Sequence, residues 1–214
     1  MANKPLAQSL CEQFKQDILE NKHPVGITLK QTELSQQYGV SRIPIRDVLH
    51  KLQAEGWLQQ CGKRGVMVQA LNATEALDLS LMRQYLEPLI LTYALPNLTK
   101  AIIGKAEDLL LELDTDGLSV SQHGELNWQF HACLYQAANR PTLFNTIAGL
   151  HQKCARYIGY HNSQLNYNNT SQTEHYQLLE VVKAGDSVMA QAILKRHIAV
   201  ASNILVAYLT ENPV

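Results

Sequence analysis

The stretch Gly39-Val40-Ser41-Arg42-Ile43-Pro44-Ile45-Arg46-Asp47-Val48-Leu49 decides the fold of the N-terminal third of this 214-residue chain. Gly39 supplies a stop for a preceding helix over about 31–38, because glycine enters the left-handed conformation at no steric cost. Ser41 is a good N-cap for a helix over 41–55, along which Ile45, Val48, Leu49 and Leu52 recur on one face. Gly56 ends that helix. Upstream, Leu6, Leu10, Phe14 and Ile18 at four-residue spacing predict a first helix ending near Asn21, broken by His23-Pro24-Val25-Gly26. Downstream, 57–61 and 66–71 read as two short strands joined by Gly62-Lys63-Arg64-Gly65. Three helices and a hairpin within 1–71 describe a winged helix-turn-helix, a DNA-binding domain.

In a helix-turn-helix the second helix of the motif enters the major groove and its N-terminal residues touch base edges. Arg42 and Arg46 stand one turn apart, opposite the apolar stripe, so each guanidinium is placed for a bidentate contact with guanine O6 and N7. Ser41 and the helix N-terminus suit a phosphate. Lys63 and Arg64 at the hairpin tip reach a neighbouring phosphate or the minor groove. Thr32, Pro44 and Gly65 complete the predicted DNA-facing set. Charge is distributed accordingly. Residues 1–70 carry nine Lys/Arg and six Asp/Glu, whereas 71–214 carry nine and thirteen. The basic end is the one suited to a phosphate backbone.

Beyond a link at Asn72-Ala73, Thr74 is placed to cap a long helix to about Leu95, closed by Pro96. Helical patterns follow over roughly 99–113, 121–138, 142–159, 171–184 and 187–209, with a polar loop expected over 162–170. No strand-like alternation appears after 71. The fold class is therefore mostly α: a winged helix-turn-helix at 1–71, then an all-helical bundle of six helices at 72–214. No continuous apolar run reaches membrane-spanning length, and no basic leader or apolar signal core opens the chain, so a cytoplasmic protein without a membrane partner is expected. Cys11, Cys61, Cys133 and Cys154 are scattered, without a C-x-x-C pair, and read as reduced, buried or half-buried thiols.

In the bundle, Asn127 and His131 lie four apart on one helix face. His175 begins a later helix and His197 sits mid-way along the last. Three imidazoles plus one oxygen suit Zn²⁺, Ni²⁺ or a similar divalent ion, although spacing across separate helices does not show that they converge. No carboxylate is placed by sequence beside them as a general base, so an enzyme is not expected.

Residues 18–68 resemble the N-terminal domain of the GntR family of bacterial regulators. The resemblance rests on Pro24-Val25-Gly26, Leu29, Glu33-Leu34, Gly39-Val40-Ser41-Arg42, Pro44-Ile45-Arg46, Leu49, Leu52, Glu55-Gly56 and Arg64-Gly65 with Val66 and Val68. It implies that Arg42 and Arg46 contact the operator with help from the wing. Residues 77–205 are similar to the FCD ligand-binding domain of the FadR branch, through Arg83-Gln84-Tyr85-Leu86-Glu87, Asn127-Trp128-Gln129-Phe130-His131, Leu134, Ala138-Asn139, Glu174-His175, Leu178-Leu179, Gly185-Asp186, Ala190 and His197. Six bundle helices are similar to the shorter, VanR-like group. The likeness implies a divalent metal, Zn or Ni, held by Asn127, His131, His175 and His197, with Asn127 where the family usually has Asp.

It also implies that Arg83 pairs with the carboxylate of a small effector, unless it is bound within the bundle to Glu87. Tyr135 and Arg140 are further candidates for the effector pocket. The function expected is a homodimeric regulator, more a repressor than an activator, on a near-palindromic double-stranded operator. The alternative is a DNA-binding regulator whose helical domain is a metal-free interaction or oligomerisation module.

Overall fold

The computed structural model describes residues 6–62, 65–164 and 168–212. The chain divides into two units, the second beginning at Asn72.

In the first unit, α1 (Leu6–Leu19) packs on α3 (Arg42–Ala54), and α2 (Gln31–Gln37) precedes α3 across a tight turn. Gly39 takes φ +64°, and the Ser35 hydroxyl donates to the Val40 carbonyl, so the turn is fixed from both sides. The predicted stripe Ile45, Val48, Leu49 and Leu52 is buried, joined by Leu10, Phe14, Leu34, Trp57 and Leu58. Burying such side chains is worth roughly 1.5–3 kcal/mol each, which is what sets the angle of α3. Ser41 does occupy the N-cap position with extended backbone, yet its side chain makes no capping bond.

The wing differs from expectation in one respect. It is a three-stranded antiparallel sheet in the order β1 (Thr28–Leu29), β3 (Gly65–Val68), β2 (Leu58–Cys61). Strand β3 ends at Val68 rather than Leu71, and β1 is an element the sequence reading did not contain. Thr28 and Leu29 pair with Met67 and Val66. A side chain at position 65 would strike the Thr28 methyl at 2.5 Å, so Gly65 is required by the close approach of β1. Lys63 and Arg64 lie outside the described residues.

The second unit consists of α4 (Ala73–Ala94), α5 (Lys100–Leu113), α6 (Val120–Gln136), α7 (Pro141–Gln164), α8 (Asn168–Lys183) and α9 (Ser187–Glu211) among the described residues, with a 3₁₀ turn at Leu95–Asn97. Its core joins Ile90, Leu91, Leu110, Phe130, Leu134, Ile147, Leu178, Leu194 and Ile198. Helix α4 packs most extensively along α9. Two local expectations are corrected. The cap of α4 is Asn72, whose side chain accepts from the Glu75 N–H, rather than Thr74. In the polar stretch expected as a loop, 162–164 and 168–170 are helical, because α7 runs to Gln164 and α8 begins at Asn168. By length and composition α9 could cross a membrane, despite Lys195 and Arg196. Its Ala190, Leu194, His197, Ile198, Leu205 and Leu209 are buried against the bundle.

Candidate functional site

Helix α3 presents Ser41, Arg42 and Arg46 to solvent, with Pro44 half-buried, while the opposite face is sealed in the core. Arg46 Nε lies 3.7 Å from the neighbouring Asp47 carboxylate, and both side chains remain more than half exposed. Such a pair is worth at most about 1 kcal/mol, so it does not withhold the guanidinium from a ligand. Thr32 is exposed near the start of α2. Ile43 is 65% exposed between the two arginines. A large apolar side chain on a reading face is suited to a thymine methyl. The sequence reading passed over Ile43 because apolar residues on amphipathic helices normally point inward.

In the bundle, ligand atoms of His131 on α6, His175 on α8 and His197 on α9 lie within 4.8 Å of one another. The three rings converge with centroids 4.8–5.7 Å apart. All three residues are buried, as is Asn127 one turn before His131. Each Nδ1 is engaged by the protein. His197 Nδ1 lies 2.8 Å from the Glu174 carboxylate, and His175 Nδ1 lies 3.3 Å from the Gln172 amide oxygen. Carboxylate and amide oxygens only accept, so both imidazoles must donate through Nδ1. The third case runs through Tyr135, whose hydroxyl donates to Glu87 at 2.7 Å and is 3.3 Å from His131 Nδ1. With its O–H directed at the carboxylate, the Tyr135 oxygen accepts from His131 Nδ1–H. All three Nε2 atoms therefore carry lone pairs, and those of His131 and His175 are buried without a hydrogen-bond partner.

Electrostatics agree with neutral imidazoles at His131 and His175. Burial holds the His131 and His175 pKa values well below the ordinary histidine value. Glu87 opposes the effect at His131, and neighbouring His197 reinforces it at both. Two buried acceptors facing one another with no donor are costly in an interior and are resolved by a bound cation. The donor set of three imidazole nitrogens, with the Asn127 amide nearby on α6, thus fits a borderline divalent metal.

One consequence follows for pH. His23, His123, His131, His151 and His175 all have pKa values depressed by burial. Below about pH 6.5 the unfolded chain takes up protons that the folded chain refuses. Stability is therefore full above that value and declines as pH falls through it, by up to about 1.4 kcal/mol per pH unit for each histidine. Urea unfolding of chelator-treated protein at pH 7.5, 6.0 and 5.0 is expected to show a falling midpoint before carboxylates titrate. A flat profile contradicts neutral buried imidazoles.

Behind the histidines lies a buried ionic network. Glu87 on α4 is fully buried, 2.5 Å from Arg83 Nε and 3.0 Å from His151 Nε2. Burial alone would raise its pKa, but Arg83 and then His151 outweigh that and hold it well below the usual carboxylate range. Burial, and then Glu87, push Tyr135 well above the ordinary phenol value. Of the predicted effector residues, Arg83 is thus ion-paired inside the bundle, and Tyr135 connects Glu87 to a histidine of the cluster. Arg140 is exposed at the start of α7, its guanidinium 4.3 Å from the centre of the Tyr93 ring. Glu174 and Gln172, which set two of the three tautomers, were not assigned roles from sequence. Helical spacing does not reveal a hydrogen bond made to a different helix.

Comparison with known proteins matches both units. Residues 6–68 match the bacterial regulatory proteins of the gntR family, and residues 78–200 match the FCD domain. The Nta operon transcriptional regulator of Aminobacter aminovorans is 29% identical over 66% of this chain and 69% of its own length. An uncharacterised HTH-type regulator in an unstable DNA locus of Streptomyces ambofaciens is 26% identical over 86% of this chain and 78% of its own. In fold, the chain superposes on Escherichia coli McbR/YncC with a TM-score of 0.75 at 20% identity, covering 98% of this chain and 100% of that one. The two sequence relatives are transcriptional regulators, not enzymes. The chain belongs to the gntR family of bacterial regulatory proteins, as a DNA-binding transcriptional regulator whose second unit is an FCD domain.

Proposed function

We propose that this regulator acts in the cytoplasm as a homodimeric repressor. Arg42 and Arg46 read each half of a near-palindromic operator, with Ser41, Thr32, Pro44 and the wing residues Lys63, Arg64 and Gly65 assisting. Its FCD domain holds a divalent ion, Zn²⁺ or Ni²⁺, through His131, His175, His197 and Asn127. The observation that carries the metal reading is the pair of orphaned, buried Nε2 atoms whose Nδ1 partners already fix the tautomers. Bound there, the ion supplies a positive charge that attracts a small carboxylate effector. Arg83 is already matched by Glu87, which shifts the task of anchoring the carboxylate towards the metal, while Tyr135 steadies His131. Arg140 belongs to the same proposal as an outer contact. A second copy of the chain is favoured by the exposed apolar residues Leu77, Leu81, Tyr85, Leu89 and Tyr93, which recur every four residues along α4.

Chelator-treated protein is expected to gain thermal stability on addition of Zn²⁺ or Ni²⁺. At about a hundredfold excess over the dissociation constant the gain is roughly 2.7 kcal/mol. That corresponds to roughly 5–10 °C in a domain of this size. The gain should vanish in a His131→Ala/His175→Ala protein, and a panel of small carboxylic acids should add a further increment only with metal present. If the wild type ignores both metals, the FCD domain is instead a metal-free interaction module, the reading that the apolar α4 stripe alone would support.

A further inference from the structure

A cavity with room for about 60 Å³ of water-sized contents lies between α4, α7 and α9. Its walls are mainly hydrocarbon, with Leu79, Ile198 and Leu205 among them, and Arg83, Tyr157 and Ser202 supply polar groups. The four residues assigned to the metal do not line it. Ser202 is one of the residues lining this space, and its Oγ is buried without a hydrogen-bond partner. A buried hydroxyl left unpaired is costly and marks a place where a missing partner belongs. Arg83 does not ask for an anion here, because its guanidinium is neutralised by Glu87 at 2.5 Å. A further carboxylate would enter an apolar cavity with no unmatched positive charge to meet it.

The far side of the cavity leads to the start of the domain. Tyr157 lines it, and the Tyr157 hydroxyl donates to Glu75 and accepts from the Asn72 backbone N–H at 3.3 Å. Arg156 donates both to Glu75 and to the Tyr157 oxygen. Asn72 caps α4 and is the first residue of its unit, covalently next to the last residue of the DNA-binding unit. A molecule pressing on the Tyr157 ring therefore acts on the chain where the two units join.

We propose that this cavity is a binding site for a small neutral molecule with a hydrocarbon body and one hydroxyl or carbonyl group. Ser202 supplies its hydrogen bond, and Tyr157 reports its presence to Asn72. The proposal rests on the reading of the FCD domain as ligand-responsive, but it requires neither the metal nor the carboxylate.

The test uses full-length protein and two four-carbon probes, butan-1-ol and butyrate, with and without Zn²⁺, followed through the backbone amide resonances of Asn72 and Ala76. Butan-1-ol is expected to shift both resonances saturably in the millimolar range, the affinity open to so few atoms. Butyrate should bind at least about tenfold more weakly, since a buried unmatched charge is costly. Ser202→Ala should weaken the alcohol about five- to tenfold, the worth of one hydrogen bond. Ala201→Leu, which fills the cavity, should abolish the response. Should that variant not fold, Ser202→Val serves the same purpose. Tyr157→Phe should keep the Ala76 shift and lose that of Asn72. No saturable response in the wild type means that the cavity holds only water, and overturns the proposal. So does equal or tighter binding of butyrate, a response that requires Zn²⁺, or one that survives the filling variants. Failure of operator or metal binding elsewhere leaves these shifts unaffected, so the two readings fail separately.

Discussion

Replacing Arg42 and Arg46 together by alanine will remove sequence-specific operator binding while leaving the fold intact. Both side chains are exposed on the face of α3 opposite the buried Ile45, Val48, Leu49 and Leu52. Alanine is the best helix former, so the substitutions cost the helix nothing of its own. Each bidentate guanine contact is worth about 1–3 kcal/mol of discrimination. The single variants should therefore lose roughly five- to 150-fold in affinity for the operator, and the double variant about 25- to 2×10⁴-fold if the two add. The Arg46–Asp47 pair must be surrendered on binding, but it is exposed and worth little. Fluorescence anisotropy on operator and scrambled duplexes at fixed salt separates the contributions. An equal loss on both duplexes would demote the arginines to phosphate contacts.

The second large effect concerns Glu87. Glu87→Leu strands a largely buried Arg83 and leaves the His151 Nε2–H and the Tyr135 hydroxyl without their shared acceptor. Removing one partner of a buried pair costs about 3–5 kcal/mol, because the remaining charge stays uncompensated. Against a total stability of roughly 5–15 kcal/mol, that is about a fifth or more of what holds a typical domain together. The paired change Arg83→Met/Glu87→Leu removes both charges and should recover much of the loss. Urea denaturation of the three proteins measures this directly. A cost below about 1 kcal/mol for Glu87→Leu would show that the network does not hold the bundle. Glu87→Leu also releases Tyr135, which fixes the His131 tautomer, so metal affinity should fall about 10–100-fold.

Much of the fold was legible because apolar periodicity and glycine punctuation agree. Ile45, Val48, Leu49 and Leu52 are buried where the stripe puts them, and Gly39 adopts the positive φ that a helix stop requires. Two-residue strand β1 was invisible, since Thr28-Leu29 is too short to carry a pattern and its pairing is made with β3, nearly forty residues on. Residues 162–164 and 168–170, expected in a loop, are helical because polarity is not a helix breaker. Asparagine, glutamine and serine cost a helix only tenths of a kilocalorie each, and packing of α7 and α8 overrides that. That three histidines would meet was expected only through resemblance. His131, His175 and His197 sit on three helices, and no spacing within one helix predicts that they meet. Glu87 was legible only as the partner of Arg83 four residues earlier on the same helix. Its part emerges only when Arg83, His151 and Tyr135 are brought around it.

The adjacency of Glu174 and His175 has a mechanical consequence. Successive residues on a helix point about 100° apart, so α8 aims one of them into the histidine cluster and the other at the imidazole of His197 on α9. The centre therefore fixes the rotation of α8 about its own axis as well as its position. A turn of even a few tens of degrees would withdraw a nitrogen from the cluster and release the carboxylate that orients another.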